Sequence, residues 1–283
     1  MENVRVIARL DIKGPNLVKG IHLEGLRVLG KPEDFAGYYY ENGADELFYQ
    51  DVVASLYERN SLHSFISTTA KRSFIPLTVG GGIRSIQDIR EVLRAGADKV
   101  CINTAAIRTP SFISEASLKF GSSTIVVAIE AIKQPDGKYL AFIDNGREHT
   151  GIEVTEWAKS VESLGAGEIV ITSVDREGTG TGYDIDLTKS LSTLVSIPVI
   201  AHGGPGNLLH FSEVIVQGKA DAVAVASVIH YDFIANRQSD MNNRTEGNIS
   251  YLKSGRTHFG KIEPASIKDI KKYFISKRIQ CRP

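Results

Sequence analysis

The stretch Ile75-Pro-Leu-Thr-Val-Gly-Gly-Gly-Ile83 joins a short apolar run to three consecutive glycines. It is echoed downstream by Ile197-Pro-Val-Ile-Ala-His-Gly-Gly-Pro-Gly206. Each stretch is typical of a buried strand that ends in glycines before a helix, where the backbone can approach an anion and free helix N–H groups point at it. One such stretch could be an ordinary strand-to-helix turn, but the matched pair predicts a ligand with two phosphates.

Apolar runs and helical patterns alternate along the chain. The apolar runs predict eight strands, over residues 4–10, 46–49, 75–79, 99–102, 124–129, 168–172, 198–201 and 222–226. Helical patterns lie between and after them, over residues 32–42, 61–71, 85–95, 110–118, 155–164, 186–194, 207–217 and 267–277. Continuous rather than alternating hydrophobicity is typical of a parallel sheet covered on both faces. Eight β/α units at this length predict an α/β fold, the (β/α)8 or TIM barrel.

An internal repeat supports this fold. Gly43-Ala-Asp-Glu46 matches Gly165-Ala-Gly-Glu168, and Ala97-Asp-Lys-Val100 matches Ala220-Asp-Ala-Val223, at nearly the same offset as the two Ile-Pro stretches. The offset is about half the barrel, so two repeated half-barrels are predicted. A duplicated half explains why signals for phosphate sites come in pairs.

Composition excludes several classes of protein. The 283 residues carry a formal net charge of zero, so nothing favours binding to nucleic acid or to a membrane surface. Cys101 and Cys281 lie far apart, which fits a reducing cytoplasm better than a disulfide framework or a metal site. Residues 1–283 are expected to form one barrel with a polar insertion at 231–263, which is either a contact surface or a passive loop. The oligomeric state stays open.

Candidate functional residues gather where the strands end, because the active site of such a barrel lies at its C-terminal face. Asp11 and Glu130 end the first strands of the two halves, so they are expected to face each other across the mouth as a general acid and base. Carboxylates that cap helices or bind loops would give the same pattern. The candidate substrate- and phosphate-binding residues are Lys19, Gly81, Gly82, Asn103, Thr104, Thr172, Asp175, Gly203, Gly204, Ala226 and Ser227.

Two of these candidates are related by the repeat. Thr104 and Ser227 each end a strand and precede a helix. Together with Gly82 and Gly204 they predict two cradles, each made of a hydroxyl and backbone amides. Lys19, in the loop after the first strand, could reach a phosphate or a developing charge, although a single loop lysine is more often solvated.

Four charged residues begin strands at the opposite face: Arg5, Glu46, Lys99 and Glu168. They alternate in sign, so a ring of ion pairs is expected to close the bottom of the barrel. Charges at this face normally serve stability. The ring would be a gate only if something passed through the barrel.

The chain resembles a known family over about residues 4–234 and the final helix. The motifs that carry the resemblance are ARLDIKGPNLVKG (8–20), GADELFYQD (43–51), IPLTVGGGIRS (75–85), AGADKVCINTAA (95–106), VVAIEA (126–131), TSVDREGTGTGYD (172–184) and HYDF (230–233). Together they are similar to the cyclase subunit of imidazole glycerol phosphate synthase. That resemblance implies a (β/α)8 barrel that binds a two-phosphate substrate and receives ammonia from a glutaminase partner at its N-terminal face.

The resemblance also implies roles for particular residues. Asp11 and Glu130 correspond to the family's catalytic carboxylates, and Lys19 to the lysine of its first loop. The four-residue ring matches the family's gate to an ammonia channel, and Asp98 matches a residue at the glutaminase interface. No cofactor or metal is expected.

Several positions depart from the family's pattern. Glu130 stands where the histidine-pathway enzyme has Asp, which moves the carboxylate by roughly 1.5 Å. Displacement of about 1 Å can cost on the order of a hundredfold in rate. Arg9 replaces a usual Cys, Gly14-Pro15 an Asp-Gly turn and His202 a usual Ser; His202 could line the pocket or cap its strand.

The start of the chain, ARLDIKGPNLVKGIHLEGLRVLG, most resembles a paralogous branch found with surface-polysaccharide genes. The resemblance to that branch implies a subunit that passes glutamine-derived ammonia to a separate sugar amidotransferase, for an acetamidino sugar. This is the main functional expectation. The alternatives are the histidine-pathway cyclase itself, which is a lyase, a non-catalytic ammonia conduit or scaffold, and a sugar isomerase that would need no bottom gate.

Overall fold

A computed structural model of the chain describes residues 3–54, 62–236 and 260–283. Parallel strands form a closed barrel in the order β1 (Arg5–Lys13), β4 (Glu46–Asp51), β5 (Leu77–Gly80), β6 (Lys99–Ile102), β7 (Ile125–Lys133), β10 (Glu168–Ser173), β11 (Val199–His202) and β12 (Ala222–Val225). The barrel closes because β12 pairs with β1, with Ala222 opposite Arg5, and β7 pairs with β10. The predicted (β/α)8 barrel is confirmed.

Helices lie between the strands and cover the outside of the barrel. They are α1 (Pro32–Glu41), α2 (His63–Ala70), α3 (Ile86–Ala95), α4 (Thr104–Arg108), α5 (Ser111–Phe120), α6 (Val154–Ser163), α7 (Ile185–Ser192), α8 (Leu208–Val216), α9 (Ser227–Asn236) and α10 (Ile267–Ser276). Helix α3 shows how the sequence sets such an element. The Ser85 side chain accepts from the Asp88 amide, the Asp88 carboxylate accepts from the Ser85 amide, and Gly96 ends the helix with φ of 118°.

Two antiparallel hairpins were not predicted. The first hairpin comprises β2 (Asn16–Ile21) and β3 (Glu24–Gly30), and the second comprises β8 (Tyr139–Ile143) and β9 (Glu148–Glu153). They extend β1 and β7 beyond the C-terminal face. These strands are short, and their polar and apolar residues do not alternate regularly, so they lack a clear period-two pattern.

The first residues of the predicted insertion, 231–236, are helical instead. Residues 231–236 continue helix α9, and Phe233 and Ile234 of this stretch are buried in the core. Most of the predicted segment, residues 237–259, lies outside the described residues. Within the described ranges, no helix is both long and apolar enough to cross a bilayer.

The barrel interior is built in layers, because side chains alternate along a strand. A compact apolar cluster fills the middle, made of Ile7, Phe48, Cys101, Val126, Ala128, Val170, Ile200, Ala222 and Ala224. On β1, Arg5 lies below Ile7, while Arg9 and Asp11 lie above it. The interior thus has a charged layer at each end and an apolar layer between them.

Candidate functional site

A cavity of about 660 Å³ opens at the C-terminal mouth of the barrel. Its lining includes six residues that the sequence predicts for the site: Gly81, Gly82, Asn103, Thr104, Glu130 and Thr172. Arg9, Arg84 and Arg108 line the same cavity. The structure therefore gathers one predicted cradle and one candidate catalytic carboxylate around a single space.

The first cradle is formed by the ends of β5 and β6. Gly81 and Gly82 have φ of 99° and 71°, and a Cβ on Gly81 would lie 2.2 Å from the Asp51 carbonyl oxygen. Only glycine fits this close approach without strain. The Thr104 hydroxyl is in the same cavity and accepts a hydrogen bond from the Asp144 amide at 3.2 Å. The two glycines and the Thr104 hydroxyl thus line one cavity.

The second cradle is formed by the ends of β11 and β12. Gly204 has φ of 114°, and a Cβ there would lie 2.1 Å from the Gly182 carbonyl oxygen. The pocket lined by Gly203, Gly204, Ala226, Ser227 and Lys19 has a volume of only about 10 Å³. The structure brings these predicted residues together, but the space between them is almost filled.

Lys19 and Glu177 fill the second cradle. The Lys19 ammonium contacts the Glu177 carboxylate, and both side chains are buried. The other Glu177 oxygen accepts from the Leu23 amide at 3.0 Å. Burial lowers the pKa of Lys19 to about 8, against the opposing effect of Asp11, so the amine stays protonated at neutral pH. The first hairpin is in this way clamped over the second cradle.

Asp11 is ionised and paired. Burial alone would raise its pKa, but the Arg9 guanidinium, with Lys19 and His202, outweighs that effect and lowers the pKa to about 2. Arg9 Nε donates to Asp11 Oδ1 at 2.9 Å. Burial and the nearby Arg9 hold the pKa of His202 well below its usual range. The neutral ring lies in the pocket layer, where its Nδ1 is 3.0 Å from the Thr172 hydroxyl.

Glu130 lies on β7, four strands from β1 around the barrel, so the two carboxylates occupy opposite sides of the mouth. Burial raises the pKa of Glu130 to about 7, although the Gly146 amide donates to Oε2 at 2.7 Å and favours the charged form. Their different environments therefore give Asp11 a low pKa and Glu130 a high one. Such a separation distinguishes a fixed negative charge, Asp11, from a group that can exchange a proton at neutral pH, Glu130.

The predicted ring at the N-terminal face is a closed cycle of ion pairs. Arg5 lies 3.1 Å from Glu46 and 3.0 Å from Glu168. Lys99 lies 3.0 Å from Glu46 and 3.1 Å from Glu168. Each cation bridges both carboxylates, so the four side chains together cross the bottom of the barrel.

Two predicted residues lie outside the mouth and the ring. Asp175 is exposed at the rim, where its carboxylate accepts from the Lys133 amide at 2.8 Å. Asp98 is exposed beside the ring, and its carboxylate accepts from the Leu77 amide at 2.8 Å. Both contacts are strand-end caps. Asp98 remains accessible to a partner at the N-terminal face, whereas Asp175 does not line the cavity.

Sequence reasoning missed three contributors. Arg9 appeared only as a departure from the family, although its position two residues before Asp11 on one strand places both on one face. Glu177 gave no signal, because its pairing with Lys19 joins strand β2 to the turn after β10, and the two lie far apart in sequence. The turn 144–146 was missed with the second hairpin, although its Asp-Asn-Gly sequence is typical of left-handed turn residues.

The fold and the site together define a class of protein: a (β/α)8 barrel built from two repeated halves, with a polar pocket at one face and a ring of ion pairs at the other. Residues 5–235 match the family model described as histidine biosynthesis protein, and the chain belongs to that family. Two relatives carry the name imidazole glycerol phosphate synthase subunit HisF. The one from Legionella pneumophila is 58% identical over 212 residues, which is 75% of this chain and 100% of the relative.

The second relative, from Alkaliphilus metalliredigens, is 43% identical over 231 residues, or 82% of this chain and 92% of the relative. The resemblance to this subunit family is therefore confirmed. Both names refer to the histidine-pathway enzyme. Neither supports the surface-polysaccharide branch that the start of the chain suggested, and the histidine alternative fits them better.

Proposed function

We propose that this chain is the ammonia-dependent cyclase subunit of an imidazole glycerol phosphate synthase. The observation that carries the proposal is the placement of two polar sites at opposite ends of one barrel. A closed cycle of four ion pairs crosses the N-terminal end, and a cavity of about 660 Å³ with a phosphate cradle opens at the other. The names of both relatives agree with this function.

The ring is the entry for ammonia from a glutaminase subunit bound at the N-terminal face. Buried charges are costly unless they are paired, so the four side chains of the ring hold together and close this end of the barrel to bulk water. The ring opens when its side chains move apart. Lys99 and Glu168 are each slightly exposed, at 15% and 13% of the side-chain surface. Above them the small side chains of Cys101, Ala128 and Ala224 line the interior. Neutral ammonia passes such a layer more easily than ammonium, because an ion loses more hydration energy there.

The mouth supplies the acid–base chemistry. The first cradle holds one phosphate end of the substrate, and the second cradle holds the other once the Lys19–Glu177 contact opens. Attack by ammonia on a carbonyl carbon and ring closure both require proton transfers. Glu130, with a pKa of about 7, exchanges protons, while Asp11 remains charged and stabilises developing positive charge.

The test is turnover without the partner. The purified chain receives the cyclase substrate with ammonium at pH above 8.5, where free ammonia is abundant, and substrate loss is followed by absorbance. Turnover that falls by two or more orders of magnitude in Glu130→Gln supports the proposal, within the usual range for a proton-transfer group. Absence of turnover in both the wild-type protein and Glu130→Asp would contradict it.

A second candidate is favoured by the remodelled mouth. Asp11 is paired with Arg9, and Lys19 is paired with Glu177. By resemblance to the family, Asp11 and Lys19 would serve catalysis and phosphate binding, and here both are already engaged in ion pairs. In this second function the barrel takes up glutamine-derived ammonia and delivers it to a separate amidotransferase acting on a nucleotide-linked sugar. A chain without cyclase turnover that still couples glutamine hydrolysis to sugar amidation would favour this function over the first.

A further inference from the structure

An internal carboxylate contacts the hydroxyl of the first cradle. Asp144 begins the turn 144–146, whose three residues all have positive φ, of 52°, 62° and 76°. Its Oδ1 lies 3.4 Å from the Thr104 hydroxyl, and its Oδ2 lies 2.9 Å from Arg108 Nη2. Asp, Asn and Gly tolerate this backbone conformation better than other residues. The turn thus places a carboxylate between the cradle hydroxyl and an arginine.

Arg108 is placed for a ligand. It lines the large cavity together with Gly82 and Thr104. Its side chain is 56% exposed, and among the described residues its ion pairs are with Asp144 and with Glu148, the latter at 3.0 Å and itself 55% exposed. Exposed ion pairs of this kind are weak, because water screens them. A planar guanidinium binds a phosphate with two parallel hydrogen bonds, which a single carboxylate oxygen does not match.

We propose that Arg108 is a specificity-determining residue that binds the phosphate in the first cradle, and that the Asp144 carboxylate occupies the place of this phosphate in the free protein. The proposal rests on the proposed function, in which the first cradle holds one phosphate end of the substrate. The bound phosphate takes over the contacts of Asp144 to Thr104 and Arg108. Asp144 therefore competes with the ligand, whereas Arg108 attracts it.

The two side chains must then have opposite effects on binding. Removing the Arg108 charge weakens phosphate binding. Removing the Asp144 charge strengthens it, because the phosphate then has one carboxylate fewer to displace from the guanidinium and is no longer repelled by Asp144. The gain from Asp144→Asn depends on Arg108, since the two residues share one interaction.

The experiment measures ribose 5-phosphate binding to the full chain by calorimetry at fixed ionic strength and pH 7.5. The Gly82 amide shift in NMR spectra locates the binding site. We expect Arg108→Met to raise Kd about tenfold and Asp144→Asn to lower it about threefold, as charge-assisted bonds at a partly exposed site allow. Asp144→Asn should have no effect in the Arg108→Met background. Arg94 is an exposed arginine near the C-terminal end of helix α3, so Arg94→Met is the matched control and should leave Kd unchanged.

The outcomes separate this inference from the proposed function. If wild-type protein binds ribose 5-phosphate at Gly82 and Arg108→Met binds equally well, the inference fails while the cradle stands. If Asp144→Asn weakens binding, Asp144 supports the site and the competition is refuted. If the Gly82 amide responds in neither the wild-type protein nor Asp144→Asn, the first cradle does not bind phosphate. The proposed function, which requires a two-phosphate ligand, is then refuted as well. Unfolding midpoints of all variants identify any loss of binding caused by misfolding.

Discussion

The two hairpins at the mouth are repeat-related, yet they close their cradles very differently. His22 and Leu23 at the first turn have φ of 54° and 62°, and Asp144 and Asn145 at the second have 52° and 62°. These pairs lie at the same offset in sequence as the other repeats. The first hairpin seals the second cradle with an ion pair in which each side chain is at most 4% exposed, whereas the second hairpin is held by exposed pairs and leaves a large cavity.

The duplicated glycines and strand ends therefore determine where an anion can bind. The side chains of the neighbouring loops determine whether the anion can enter. A carboxylate from the protein contacts each cradle, Glu177 in one and Asp144 in the other. Glu177 is buried and costly to displace, whereas Asp144 is 17% exposed and pairs with an exposed arginine, so its displacement costs less. The two ends of a two-phosphate ligand are therefore expected to bind with unequal ease.

The largest effect is expected from breaking the buried pair. Lys19→Met leaves Glu177 buried and uncompensated, which should lower the free energy of unfolding by about 3–5 kcal/mol. Denaturation in urea measures it. The double variant Lys19→Met, Glu177→Gln should recover most of the loss. For comparison, Arg108→Met breaks the exposed pair and should cost less than about 1 kcal/mol. Equal losses in the two single variants would refute the contrast between the hairpins.

The next effect concerns Glu130, which the second hairpin contacts through Gly146. Its folded pKa, about 7, lies above its ordinary value of 4.5, so the folded state holds a proton that the unfolded state has released. The wild-type protein should lose stability as pH rises from about 4.5 to 7, and Glu130→Gln should not.

Thermal unfolding between pH 4.5 and 8 measures this effect. The stability of Glu130→Gln relative to the wild-type protein should increase over that range, by about 1–3 kcal/mol. Glu148→Gln, an exposed carboxylate on the same hairpin, is the control. A stability difference that does not change with pH would show that Glu130 titrates normally.

Arg9 controls the ionisation of Asp11 beneath the first hairpin. Because Arg9 is the strongest of the groups that lower the Asp11 pKa, Arg9→Met should raise this pKa from about 2 by about 1–2 units. The Asp11 carboxyl carbon shift, followed by NMR during acid titration, reports the value. If the pKa stays near 2 in the variant, Lys19 rather than Arg9 keeps Asp11 charged.

The smallest effect is expected where the hairpin tips meet. Asn145 Nδ2 donates to the Leu23 carbonyl at 3.0 Å, and this bond links the sealed side to the open one. Asn145→Gly, which removes the side-chain donor and still permits the positive φ, should cost about 1 kcal/mol, which is typical for a single hydrogen bond, and should speed amide exchange at Leu23. Unchanged exchange at Leu23 would mean that the two hairpins open independently.

The sequence predicts the barrel well because its strands are continuous apolar runs and its repeat is nearly regular. It also predicts which residues lie near the mouth, since Asp11, Glu130, Gly82 and Thr104 each lie near or just after the C-terminal end of a barrel strand. It does not predict the state of these groups. The charges of Asp11 and Lys19 depend on partners brought near by tertiary folding, and a pKa depends on burial, which a sequence does not contain.

The most direct test of the ammonia route is the ratio of cyclised product to glutamine hydrolysed, measured with a bound glutaminase subunit. In the wild-type complex this ratio should be close to one. Lys99→Met opens the ring and should lower the ratio several-fold, while the rate with added ammonium changes little, because the mouth is intact. Lys119→Met, a lysine on the outer helix α5, should leave both quantities unchanged. An unaltered ratio in Lys99→Met would contradict the passage of ammonia through this end of the barrel.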